Sequence, residues 1–104
     1  MSDDKYTSDS QQRLLSVILT LGGHEMDGLL PGQVATLAPC SPSQVTRDLA
    51  NLKKAGWAEE VPGQAGRWRL GPTVVSLAMR HMSGMDRART RLEETARRYG
   101  RDAA

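Results

Sequence analysis

Between Ser41 and Gly56 the sequence sets Ser43, Arg47, Ala50, Asn51 and Lys54 on one side of a helical wheel, with Gln44 and Thr46 at its margins. Val45, Leu49 and Leu52 fall at i, i+4 and i+7 on the other side. The polar set can do one kind of chemistry well. An arginine fork matches the acceptors O6 and N7 of guanine, a carboxamide pairs with adenine, small hydroxyls and lysine hold phosphate oxygens, and alanine permits close approach or contact with a thymine methyl. The plain alternative is a solvated helix face, since any exposed face is polar. What favours recognition is the start signal: Ser41 as cap, Pro42 in the first helical position and Gln44 three residues after the serine form a capping box. That start puts Ser43, Gln44 and Arg47 at the N-terminal end, the part of a recognition helix that enters a groove.

Bond-making chemistry has no comparable support. Cys40, His24 and His81 show none of the paired spacings of a metal site, neither histidine has a nucleophile or carboxylate at motif spacing, and there is no glycine-rich phosphate loop. No enzyme, no metal and no cofactor are expected. Cys40 reads as a small buried side chain; being the only cysteine it cannot form an internal disulfide, and no apolar run approaches a membrane span or signal core. The expected setting is cytoplasmic and reducing.

The 104 residues fit one compact domain with length to spare, and 38% hydrophobic content predicts a modest core. The net charge of +2 hides an asymmetry. Residues 1 to 40 hold two basic against five acidic side chains, whereas from 41 onward there are twelve against seven, so the positive end is the one suited to a polyanion.

The elements that would position the polar face follow from periodicity. Residues 1–9 are polar and acidic without apolar spacing and are expected as a disordered tail. Leu14, Val17, Ile18 and Leu21 define a first helix that Gly22 and Gly23 stop, with Leu15 and Leu19 on a second flank. A short second helix starts at Pro31 and turns Val34, Leu37 and Ala38 inward; Pro39 ends it, so Ala38, Pro39 and Cys40 form a tight turn before the third helix. After Gly56 the period becomes two. Trp57, Glu59 and Val61 share one strand face, Pro62 to Gly66 is a turn, and Trp68 and Leu70 oppose Arg67 and Arg69 in a second strand. Gln64 and Arg67 fall at or beside the hairpin tip, where they suit backbone or minor-groove contact, and Arg69 suits either that or an ion pair with Glu59 or Glu60 across the hairpin. A helix from Gly71-Pro72 turns Val74, Leu77, Ala78 and His81 or Met82 toward the domain, and Ser83-Gly84 interrupts it. A last helix carries Ala88, Leu92, Ala96 and Tyr99 as a narrow stripe that needs a partner.

Helix, helix, tight turn, helix, hairpin, helix is the order of a winged helix-turn-helix, mainly α with a small β-hairpin and followed by C-terminal helices. The stretch from Arg13 to Ala78 resembles the N-terminal DNA-binding domain of IclR-type transcription regulators. The likeness rests on Arg13-Leu14-Leu15 with Val17-Ile18, Gln33-Val34-Ala35, Ser43 to Leu49 with Leu52, and above all Ala55-Gly56-Trp57 followed by Gly66-Arg67-Trp68-Arg69-Leu70-Gly71-Pro72. It departs from the pattern at Pro39, where such turns carry a glycine. The resemblance implies a DNA reader whose usual C-terminal ligand-binding domain is missing, since the chain stops soon after Tyr99.

The expected organisation is a tail at 1–9, the DNA-binding domain at 10–82, a dimerisation or partner-binding segment at 83–100 and a tail at 101–104. The expected function is sequence-specific binding of double-stranded DNA through Ser43, Gln44, Thr46, Arg47, Asn51, Lys54, Gln64, Arg67 and Arg69. A homodimer would form through Leu15 and Leu19 and through Leu92, Ala96 and Tyr99. The rival is a winged-helix module for protein assembly, in which the third or the C-terminal helix docks on a protein partner.

Overall fold

A computed structural model describes residues 2–103. After a 3-10 helix at Ser2–Tyr6 come α1 (Asp9–Leu21), α2 (Pro31–Leu37), α3 (Pro42–Lys54), β1 (Ala58–Glu60), β2 (Trp68–Leu70) and α4 (Pro72–Ala103). Two compact units divide after Val74.

The expected tail contains a short helical turn. Residues 2–6 form a 3-10 helix, and the Ser8 hydroxyl accepts from the Gln11 amide to cap α1, so the helix begins at Asp9. Met1, at the head of the expected tail, and Ala104, at the end of the expected tail at 101–104, lie outside the described residues; α4 itself runs on to Ala103.

In the first unit, Val17 and Leu21 from α1, Val34 from α2, and Val45 and Leu49 from α3 are fully buried against one another, as the 3.6-residue periodicity predicts. Removal of each such side chain from water contributes about 1.5 to 3 kcal/mol, so a core this small tolerates little truncation. Two inward assignments change. In α2 it is Ala35 rather than Leu37 that joins Val34 and Ala38 inside, and Leu37 is exposed. Trp57 precedes β1 instead of lying in it; its amide donates to the Leu52 carbonyl at 2.8 Å, and this tie to the end of α3 leaves Ala58 as the strand residue that enters the core.

β1 and β2 are antiparallel, with Ala58 opposite Leu70, Glu59 opposite Arg69 and Glu60 opposite Trp68. On the other edge of β2, Leu29 and Trp68 exchange two backbone hydrogen bonds of 2.8 Å, so the connector after α1 acts as a third, one-residue strand. The hairpin gains from this clasp the support that an isolated pair of strands lacks. Gly28 makes it possible. It has φ +67°, and a Cβ there would lie 2.6 Å from Val61 Cγ2 and 2.8 Å from the Trp68 carbonyl oxygen. At the far end of the hairpin, Gly71 passes so close to the Gly56 carbonyl that a Cβ would overlap it, while Thr73 donates from its amide to Gly56 and from its hydroxyl to Ala55. The last turn of α3 and the first residues of α4 are fixed together by that crossing.

α4 does not break at Ser83-Gly84. It is one helix of 32 residues, so the expected boundary near residue 82 is not a helix end. Of the side chains expected to face the domain, Val74 is half-buried, and Leu77, Ala78, His81 and Met82 are exposed. No described helix is long and apolar enough to cross a membrane.

Gly28→Ala combines left-handed strain with a backbone clash and is expected to cost roughly 3 kcal/mol or more. Gly63→Ala, at φ +77° with open space around it, should cost only about 1 kcal/mol. Denaturant melts of the two variants compare them directly; equal losses would mean that the clasp of Leu29 on Trp68 does not constrain Gly28.

Candidate nucleic-acid interface

Helix α3 is held from beneath by four buried residues, Val45, Asp48, Leu49 and Leu52. Three are the predicted apolar stripe. The fourth is a carboxylate, and it is the buried polar residue of the described core. Arg13 of α1 meets it with two parallel hydrogen bonds, Nε to Oδ2 at 2.7 Å and Nη2 to Oδ1 at 2.9 Å. The side chains are 6% exposed for Asp48 and 22% for Arg13, so the acid is the more deeply desolvated partner. Its hydrogen bonds, with the added attraction of its charge, raise the Arg13 pKa above the ordinary value against a smaller opposing effect of burial. A cation whose folded pKa is raised keeps its contribution at every pH below its unfolded value and loses it only above the folded one. The arginine therefore introduces no loss of stability across the neutral range.

With the underside fixed, the opposite face is set. Ser43, Thr46, Arg47, Ala50, Asn51 and Lys54 are all exposed along α3. The capping box closes as predicted: the Ser41 hydroxyl accepts from the Gln44 amide at 3.2 Å, and Gln44 Oε1 accepts from the Ser41 amide at 3.0 Å. This commits the Gln44 carboxamide oxygen to the helix start. Thr46 donates its hydroxyl to the Pro42 carbonyl, and Asn51 donates Nδ2 to the Arg47 carbonyl at 2.9 Å, which leaves Asn51 Oδ1 as its free acceptor.

The hairpin cations divide. Arg69 is taken up by Glu59 across the strands, with Nη2 and Nε at 2.7 and 2.8 Å from Oε2, and by the Glu25 carbonyl. Of its two readings the ion pair is the one found. Lys53 bridges the end of α3 to the hairpin, 3.7 Å from Glu60 and over the Trp68 ring. Arg47, Lys54 and Arg67 make no ion pair among the described residues. Gln64 is exposed in the turn and Arg67 half-buried beside it.

The dimer candidates are likewise accessible: Leu15, Leu19, Leu92 and Tyr99 are among the exposed large apolar side chains, and Ala96 is exposed. Sequence reasoning missed the Arg13–Asp48 pair, because 35 residues separate its members; the one local signal was an acid on the buried side of the α3 wheel. It also missed Lys53 as a tie to the hairpin.

This arrangement has counterparts among solved structures. A Silicibacter protein assigned to the IclR transcriptional regulators aligns over 71% of this chain with a TM-score of 0.61 and 24% identity. The Zalpha domain of cyprinid herpesvirus 3 ORF112, in a structure describing how it binds Z-DNA, aligns over 61% of this chain and 98% of its own, with a TM-score of 0.50 and 22% identity. A variant of MepR from S. aureus aligns over 89% and 69% of the two chains, with a TM-score of 0.52 and 18% identity. The fold is a winged helix. At these identities the likeness carries the fold and not membership of one regulator family, and the chain spans only 28% of the Silicibacter protein. No protein-family model and no curated protein matches the chain.

Removing one partner of the buried pair is expected to be asymmetric. Arg13→Ala strands the Asp48 carboxylate in the core and should lower Tm by several degrees more than Asp48→Ala, whose leftover guanidinium can turn to water. The double change should recover part of the loss. Thermal melts of the three variants test this, and strictly additive losses would show that the two residues do not act as a pair.

Proposed function

We propose that this winged helix binds double-stranded DNA as a transcription regulator of IclR-like type, with α3 in the major groove and the hairpin on the phosphate backbone. The observation that carries the reading is the sorting of its cations. Arg13 and Arg69 are hydrogen-bonded to carboxylates of the fold and Lys53 lies 3.7 Å from one, whereas Arg47, Lys54 and Arg67 have no such partner among the described residues. Cations left unpaired around an exposed polar helix face suit phosphates and base edges. In this reading Arg47 and Asn51 contact bases, Ser43, Thr46 and Lys54 contact the backbone or the groove edge, and Gln64 and Arg67 hold the flanking phosphates. Gln44 and Arg69 act through the fold, the first fixing the start of α3 and the second bracing the hairpin. The regulator works as a homodimer that presents two copies of α3, so its operator is a pseudo-palindrome with half-sites about one turn of duplex apart, or a multiple.

Binding to duplex DNA should weaken steeply as salt rises, with a slope set by the number of phosphates neutralised. Arg47→Ala should cost about 1 to 3 kcal/mol of discrimination at one base position, and Arg67→Ala should weaken all sequences evenly and flatten the salt slope by about one unit. Fluorescence titrations over a series of salt concentrations, followed by selection from a randomised duplex pool, measure both. No binding at low salt would overturn the DNA reading and leave the protein-assembly alternative; interchangeable effects of the two changes would mean that α3 is not the reading helix.

A further inference from the structure

Because α4 is continuous, most of its apolar residues share one register, with Leu77 on the outer face and Met79 on a flank as exceptions. From Val75 the spacing alternates three and four: Ala78, Met82, Met85, then Arg89, then Leu92, Ala96 and Tyr99. This is a heptad repeat with its two seam positions filled by apolar residues in every case but Arg89. The seam is exposed, with Met82 at 59%, Leu92 at 70% and Tyr99 at 69%. It spans about 37 Å at the rise of an α-helix, some three and a half heptads, which is the length at which such a repeat becomes a coiled-coil signal.

The charges are sorted by the same register. Arg80, Arg87, Arg91, Arg97, Arg98 and Arg101 all fall on the outer positions, as do Ser83 and Gly84, the residues expected to interrupt the helix. One flank of the seam carries Met79, Asp86, Glu93 and Gly100, and its charges are all acidic; the other carries His81, Ala88 and Thr95. Arg89, the break in the seam, lies 3.3 Å from Asp86 of its own helix, which draws the guanidinium toward the acidic flank.

We infer that α4 forms a parallel two-stranded coiled coil with α4 of a second copy of this chain. A strict 3.5-residue repeat over this length fits the seam of another supercoiled helix, and a domain surface offers no such period. The flank charges choose the orientation. In a parallel pair each acidic flank meets the neutral or histidine flank of the other copy, whereas in an antiparallel pair the acidic flanks meet and repel. Arg89 sits beside its counterpart, partly neutralised by Asp86, and fixes the register at a cost in stability. This inference rests on the dimeric part of the proposed function and not on DNA binding.

Sedimentation of the full chain at micromolar concentration tests it. The wild type should run as a dimer, Leu92→Glu as a monomer of unchanged helix content, and Thr90→Glu on the outer face as a dimer. Arg89→Leu should tighten association tenfold or more. In a Cys40→Ser background, Val75→Cys should oxidise to a disulfide-linked dimer with itself. Cross-linking only between Val75→Cys and Tyr99→Cys chains would overturn the parallel orientation. A monomeric wild type, or a dimer that survives Leu92→Glu but is lost in Leu15→Glu with Leu19→Glu, would overturn the seam. A wild type that dimerises through the seam without binding any duplex would uphold this inference while overturning the DNA reading, and a DNA-binding monomer would do the reverse.

Discussion

An acid in the middle of α3 is shut away from water, and what satisfies it is the two-point contact with Arg13. Burying a lone carboxylate is among the costliest things a small core can do, and a planar guanidinium satisfies both of its oxygens at once. The consequence is geometric. Hydrophobic contacts of Val45, Leu49 and Leu52 alone would leave α3 freer to roll, because apolar attraction has no direction. Two short hydrogen bonds do not. Asp48 therefore fixes the rotation of α3 on α1, and with it the direction in which Arg47, Asn51 and Lys54 leave the domain.

The same economy governs the hairpin. Two strands of three residues are marginal alone, and here each end is tied to a helix or its connector. Leu29 clasps Trp68 on one edge, Arg69 spans from Glu59 to the Glu25 carbonyl, and Lys53 reaches from α3 to Glu60 across the face of the Trp68 ring. At Gly28 and Gly71 a neighbouring backbone comes too close for a Cβ, and at Gly56 the Thr73 hydroxyl does. Half of the cations around the third helix and hairpin, Arg13, Lys53 and Arg69, are thus part of the scaffold. Those that are not, Arg47, Lys54 and Arg67, are distinguished by the absence of a carboxylate within reach among the described residues rather than by their residue type.

Secondary structure was largely legible because its signals are local. Ser41, Pro42 and Gln44 mark the start of α3 within one turn of chain, and the switch from a period near four to a period of two after Gly56 marks the hairpin. The errors were also local in origin. Ser83-Gly84 looks like a break, yet glycine inside a long helix costs only about 1 kcal/mol, which the surrounding turns of α4 absorb. Trp57 looks like a strand residue, yet its amide is spent on the end of α3.

By itself the sequence determined the first three helices, the turn between the second and third of them, the apolar faces of α1 and α3, and the polar set on α3, since all of these depend on spacings of a few residues. It could not determine which cations are free. Arg69 had two readings, and Arg13 and Lys53 had no assigned partner, because pairing is decided by residues 7 to 44 positions away that only the packed chain brings within 4 Å. Charge is a property of the residue; neutralisation is a property of its neighbours. Tertiary structure decided the second, and so separated the side chains that build the winged helix from those left facing outward.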